Sequence, residues 1–145
     1  GEPSVYIQEI TLEPSNLQQG SEGILMLKLT NVGTENAEDV RVEVSSVGLL
    51  SESYYFIGEI PPDSSETAAF GVYVDDDAKV GMYALKINVH YNDRFGKEYS
   101  YTRIYEVRVL EKAPLIPLSY VVAFSVIAIA LLAGVYFVQR REDEG

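Results

Sequence analysis

Twenty-seven consecutive residues, 113–139, carry no charge, and residues 118–138 within them are almost wholly apolar. At about 1.5 Å per residue, those twenty-one residues make a helix of roughly 31 Å, the thickness of a bilayer's hydrocarbon core. A helix in a soluble core would show a polar stripe. This one offers only Ser119, Tyr120, Ser125 and Tyr136 among aliphatic and small residues, so it reads as a transmembrane helix in contact with lipid along residues 118–138. Tyr120 and Tyr136 fall near the two interfaces, and Arg140-Arg141 follow directly as a stop-transfer signal. The positive-inside rule places residues 139–145 in the cytoplasm as a short tail and everything before Pro117 outside. Arg103, Arg108 and Lys112 do not reverse this orientation, because a folded domain translocates largely regardless of its charge. The expected location is the cell membrane, crossed once.

The remaining residues, 1–114, are enough for one small domain. They hold nine Lys and Arg against nineteen Asp and Glu, a net charge of −10, which repels nucleic-acid phosphates and anionic lipid heads. No nucleic-acid partner is expected. The absence of Cys excludes disulfides, thiol catalysis and thiolate metal sites, so the domain must rest on its hydrophobic core. Residue 1 is Gly and no charged, apolar leader precedes Glu2-Pro3, so the chain reads as a mature protein or the C-terminal piece of a longer one. None of its asparagines begins a glycosylation sequon.

Before Pro114 the hydrophobic period is two. Tyr83, Leu85, Ile87, Val89 and Tyr91 face one way, and Lys86, Asn88 and His90 the other. The same alternation marks Leu25, Leu27 and Leu29, then Val40, Val42 and Val44, then Ala68, Phe70, Val72 and Val74. With residues 5–12, 54–60 and 98–110 these make seven predicted strands. Turn-forming clusters separate them at residues 16–20, Asn31-Val32-Gly33, Pro61-Pro62-Asp63-Ser64 and residues 92–96. Seven short strands without an amphipathic helix predict an all-β, immunoglobulin-like or fibronectin-like β-sandwich, followed by the one transmembrane helix. The predicted division is a sandwich over residues 1–112, a proline linker over 113–117 that keeps the sandwich near the bilayer, the span over 118–138 and the tail over 139–145.

Several segments together resemble a known family. They are the opening strand followed by Pro14, Gly20-Ser21-Glu22-Gly23 leading into a strand, and the run Asn31-Val32-Gly33-Thr34-Glu35-Asn36-Ala37-Glu38-Asp39-Val40. Ile57-Gly58-Glu59-Ile60-Pro61-Pro62-Asp63-Ser64 and the stretch from Val74 to Tyr83 agree with them. Residues 3–110 are similar to the CARDB-like, adhesion-related immunoglobulin-like domains of prokaryotic, especially archaeal, S-layer and cell-surface proteins. Where that family often has Pro-Gly after the fourth strand, this chain has Pro62-Asp63. The resemblance implies the sandwich fold and a role as spacer, adhesion module or partner-binding module.

No catalytic constellation is legible, and no cofactor is expected. His90 is the only histidine and its strand parity sends it outward, so neither a triad nor a His-rich metal site can form within the chain. Acid pairs such as Glu35 with Glu38-Asp39 read as solvated loop residues. Asp75, Asp76 and Asp77 are the one candidate calcium cluster. Adjacent residues of extended chain point opposite ways and the EF-hand spacing is absent, so the favoured role of the three acids is to satisfy a turn. Adjacent Tyr54 and Tyr55 cannot both face inward, which leaves one as a candidate binding aromatic, while Tyr99, Tyr101 and Tyr105 share parity with core valines. Ala123, Ala130 and Gly134 share a helix face with Ile127 and are candidates for close helix packing.

The function expected from these features is non-enzymatic. The chain reads as a single-pass surface protein whose acidic sandwich is a structural or interaction module, with an envelope or membrane protein as partner. The alternative is the C-terminal domain and anchor of a larger membrane-bound enzyme, receptor or transporter accessory subunit. A sortase-type sorting signal is disfavoured, since neither Leu-Pro-x-Thr-Gly nor Pro-Gly-Phe precedes the apolar stretch.

Overall fold

The computed structural model describes residues 1–113 and 116–144; Pro114 and Leu115 of the predicted linker and Gly145 of the predicted tail lie outside the described residues. The chain divides into two compact units, Gly1–Lys112 and Ala113–Gly145. The first contains β1 (Val5–Glu13), β2 (Leu17–Gln18), β3 (Glu22–Asn31), β4 (Ala37–Ser46), β5 (Leu50–Ile60), β6 (Ser65–Tyr73), β7 (Gly81–Asn92) and β8 (Glu98–Leu110). Eight strands replace the seven expected. The additional one, β2, lies inside the stretch 16–20 predicted as a turn, where Leu17-Gln18 pair in parallel with Val109-Leu110. Leu17 is fully buried, so the turn is pulled against the sheet by one core side chain, and two residues are too few to show alternation.

The strands form a three-stranded sheet, β1-β3-β6, and a five-stranded sheet, β2-β8-β7-β4-β5. Every pairing except β2 with β8 is antiparallel. Leu25, Leu27 and Leu29 from one sheet and Val42, Val44, Leu85, Ile87 and Val89 from the other are buried in a shared core. That is the sandwich solution, in which each sheet buries one face against the other. In β1 the alternation changes phase. A register shift between Ile7 and Glu9 lets Val5 and Ile7 point inward before it and Leu12 after it. Tyr99, Tyr101 and Tyr105 pack partly buried against the core, and the Tyr99 ring stacks on Tyr91 with centroids 5.3 Å apart.

One end of the sandwich is organised by Asn31, the only buried polar residue among the described ones. Its Oδ1 accepts from the Ser4 and Gly33 amides, and its Nδ2 donates to the Glu35 and Ile60 carbonyls. The Pro61-Pro62-Asp63-Ser64 turn closes beside it through Ser64 N–H to the Pro61 carbonyl at 3.2 Å. Asp63 takes φ 58°, the left-handed conformation that glycine adopts most cheaply, so the aspartate stands at a position suited to glycine.

The second unit holds α1 (Leu118–Glu144). Its part Leu118–Asp143 is long and apolar enough to cross a membrane, with mean hydropathy 2.7 over its most apolar window, and none of that window is buried by protein. The Ser125 hydroxyl donates to the Val121 carbonyl at 2.8 Å, so it adds no unpaired group to the apolar helix. Helix continues through residues 139–144 of the predicted tail, where Gln, Arg and Glu are good helix formers.

Candidate functional site

The sandwich presents a run of three exposed aromatic side chains along β5. This strand is the last of its sheet: β4 lies on one side, and among the described residues no strand lies on the other. Arg41 pairs with Phe56 and Glu43 with Tyr54, which sets Tyr54 and Phe56 on the outer face, 69% and 67% exposed. Tyr55 turns toward the core side, edge-on to Phe70 at 6.0 Å, yet stays 38% exposed because its strand is an edge. The two tyrosines thus point to opposite faces, as adjacent strand residues must, and both reach solvent.

Acids sit among these rings. Glu43 is held above its ordinary pKa, first by a hydrogen bond with the Glu52 side chain and then by desolvation and the Glu52 charge. His90 and Asn88 oppose that shift without cancelling it. Tyr54 is raised by the same Glu52 carboxylate, through a hydrogen bond first. Beside them lies a shallow hollow of about 180 Å³ lined by Arg41, Val42, Glu43, Tyr54, His90 and Glu98. Within it Glu98 is already matched, to Arg41 at 3.1 Å and to His90 Nδ1 at 3.7 Å. Glu43 and Glu52 form no ion pair among the described residues.

The other predicted residues are placed apart from this face. Asp75, Asp76 and Asp77 occupy the turn after β6. There the Asp75 carbonyl accepts from Ala78 N–H at 3.2 Å, and Asp76 lies 3.6 Å from Lys112 Nζ. Among the described residues no group of three or more His, Cys, Asp or Glu is arranged to hold a metal ion. Ala130 and Gly134 line a shallow apolar groove on α1 with Leu131, Val135, Val138 and Gln139; Ala123 does not.

Two features escaped the sequence reading. Phe95 is 80% exposed at the tip of the β7–β8 hairpin, with Arg94 over its ring at 4.7 Å. Asp93 fixes that tip by accepting from the Phe95 and Lys97 amides, and an Asp two residues ahead of the exposed ring is the available sequence signal. The edge position of β5 carries no local signal, because it depends on how distant strands pair.

No protein-family model matches the chain. An uncharacterised protein of Methanocaldococcus jannaschii, MJ1506, is 23% identical over 107 residues, covering 72% of this chain and 24% of that protein. The chain thus spans about a quarter of the length of the curated relative it matches. Among solved structures it is similar to the CARDB domain of the PF1109 protein from Pyrococcus furiosus, crystallised in complex with di-metal ions. That likeness has a TM-score of 0.57 at 17% identity, over 75% of this chain and 90% of the other. The C-terminal domain of Wzt is similar at TM-score 0.56 and 12% identity, over 81% and 80% of the two chains. The sandwich of this chain, with its eight strands in two sheets, has the immunoglobulin-like fold of the CARDB domains.

Proposed function

We propose that this protein is a non-enzymatic, single-pass protein of the cell surface whose acidic sandwich, residues 1–112, is an interaction module tethered to the membrane. One observation carries the reading: the chain joins a helix of mean hydropathy 2.7, with none of that apolar window buried, to a sandwich of the CARDB fold. In this reading residues 113–117 are the linker, residues 118–138 span the bilayer and residues 139–145 face the cytoplasm. The partner is an envelope or membrane protein, which the −10 charge of residues 1–114 biases toward basic surfaces. The two metal ions of the Pyrococcus domain are not carried over, as the described residues gather no set of ligands for them.

A second reading is favoured by the 24% coverage of the Methanocaldococcus protein: the C-terminal domain and anchor of a larger membrane-bound enzyme, receptor or transporter accessory subunit. Protease added to right-side-out vesicles is expected to digest the sandwich and leave the helix in the membrane; full protection of residues 1–110 contradicts the proposed topology. Purification in mild detergent is expected to recover an envelope component whose sandwich-dependent share is lost as salt rises. An enzymatic activity intrinsic to these 145 residues, abolished by one substitution within them, contradicts both readings.

A further inference from the structure

We propose that the open edge of β5 receives an extended, basic segment of a partner protein. The segment adds as a further strand beside residues 52–59 and sets its Lys or Arg side chains against Glu52, Glu59 and the rings of Tyr54 and Phe56. This deepens the interaction-module reading and rests on it.

An edge strand displays unpaired amides and carbonyls, and soluble proteins protect such edges with lysine, proline, brevity or bulges. β5 has eleven residues and contains neither Lys nor Pro. Its protection is two bulges, one between Phe56 and Gly58 and one between Leu50 and Ser53, and the two acids Glu52 and Glu59, which bracket the uncharged run Ser53-Tyr54-Tyr55-Phe56-Ile57-Gly58. Acids repel acids and attract bases, so this protection selects among partners and does not exclude them all. A second copy is disfavoured. Antiparallel self-pairing centred on Tyr55 and Phe56 sets Glu52 against Glu59 at both ends, between domains that each carry −10.

A basic segment reverses each of these terms. Its cations face Glu52, which is crowded by Glu43, and Glu59, whose recorded partner is the neutral Asn36 amide at 2.7 Å. They also pass over two aromatic faces, where a partly desolvated cation gains further attraction. Main-chain pairing supplies affinity and the exposed rings supply selectivity, as in other strand-addition complexes. The geometry sets the spacing as well. Between Phe56 and Gly58, β5 uses two residues for the single step from Arg41 to Val40. A regular strand on the outer side therefore meets Glu52 and Glu59 with residues about six apart, an even spacing that puts both cations on one face.

The probe is an end-blocked peptide, Lys-Thr-Val-Thr-Val-Thr-Lys, titrated into the full chain in detergent micelles and followed by amide NMR. Saturable shifts confined to β5 and the adjoining β4 are expected, with affinity at least about tenfold above that of the same peptide carrying Glu at both ends. The E52Q/E59Q double variant is expected to lose about tenfold in affinity for the Lys peptide, and added salt to weaken binding. N-methylation of alternate peptide amides should abolish binding in one phase and spare it in the other, since only one edge of the peptide pairs. No saturable shift up to about 2 mM, equal affinity for the Lys and Glu peptides, shifts centred elsewhere, or dimerisation through β5 would each overturn the proposal. A failed peptide alongside a recovered envelope partner overturns the edge assignment alone. Loss of that partner overturns the broader reading.

Discussion

Asn31 Nδ2 donates to the Ile60 carbonyl across 2.9 Å, and the two residues end strands of different sheets. The same side chain holds Ser4 and Gly33 through Oδ1 and Glu35 through Nδ2, so one amide ties the N-terminal segment, the β3–β4 loop and the end of β5 together. A buried amide with all four of its hydrogen bonds made is stabilising. One deprived of its partners is costly, and so are the partners.

Asn31→Ala leaves the Ser4 and Gly33 amides and the Glu35 and Ile60 carbonyls without that side chain. We expect a loss of about 3 kcal/mol, the scale of one or two buried groups left unpaired. Urea denaturation measures it. A midpoint within error of the parent would mean that water replaces the amide at no cost.

Gly33 tests the same junction by sterics. A Cβ added there would collide with the Glu2 carbonyl oxygen and stand 2.6 Å from the Ser4 nitrogen, both of them backbone atoms that cannot swing away. Gly33→Ala is expected to cost about 1 to 3 kcal/mol as an overpacked contact. Gly71→Ala is the control, because a Cβ there meets nothing within 4 Å. Equal losses in the two variants would refute the crowding at Gly33.

Leu27 and Ile87 are fully buried on facing sheets, so truncation of either leaves a cavity that two sheets must close. Each change to Ala is expected to cost about 2 to 5 kcal/mol. Residues 1–112 expressed without the helix are expected to fold alone with a β-type circular dichroism spectrum and to report the same losses. A helical spectrum, or tolerance of both substitutions, contradicts the register.

The sequence displays this core because alternation is a local property: Leu25, Leu27 and Leu29 read as an inward face before any pairing is known. What it hides is non-local or too short to have a period. Leu17 is buried by a strand almost a hundred residues away, and two residues of β2 carry no pattern. Asp63 accepts the left-handed turn without the glycine that would announce it. The candidate site was half legible, since Tyr54 and Tyr55 stand out as a pair, but the strand order alone makes them an edge. Helix α1 was the plainest element, and it runs on through residues 139–144, where Gln139, Arg140 and Arg141 are good helix formers.

Glu43 and Glu52 provide a pH test of the outer face. The Glu43 carboxyl is raised above its ordinary pKa chiefly by its hydrogen bond with Glu52, then by desolvation and the Glu52 charge, so the folded protein holds that proton more tightly than the unfolded chain does. Its stabilising contribution is therefore complete below the ordinary carboxylate pKa and is lost as pH rises through the folded value. The Glu52 charge lies on the same face and opposes ionisation of Glu43. Glu52→Gln removes the repelling charge and the acid partner together, so the Glu43 pKa is expected to fall toward its ordinary value. The pH dependence of stability through the acid range should flatten with it. Carboxyl NMR titration reads the first effect and urea midpoints across pH read the second. Because both side chains are solvent-facing, raised salt should shrink the stability difference between variant and parent. An unchanged Glu43 titration in the variant would place the cause of the shift in desolvation and remove Glu52 from the account.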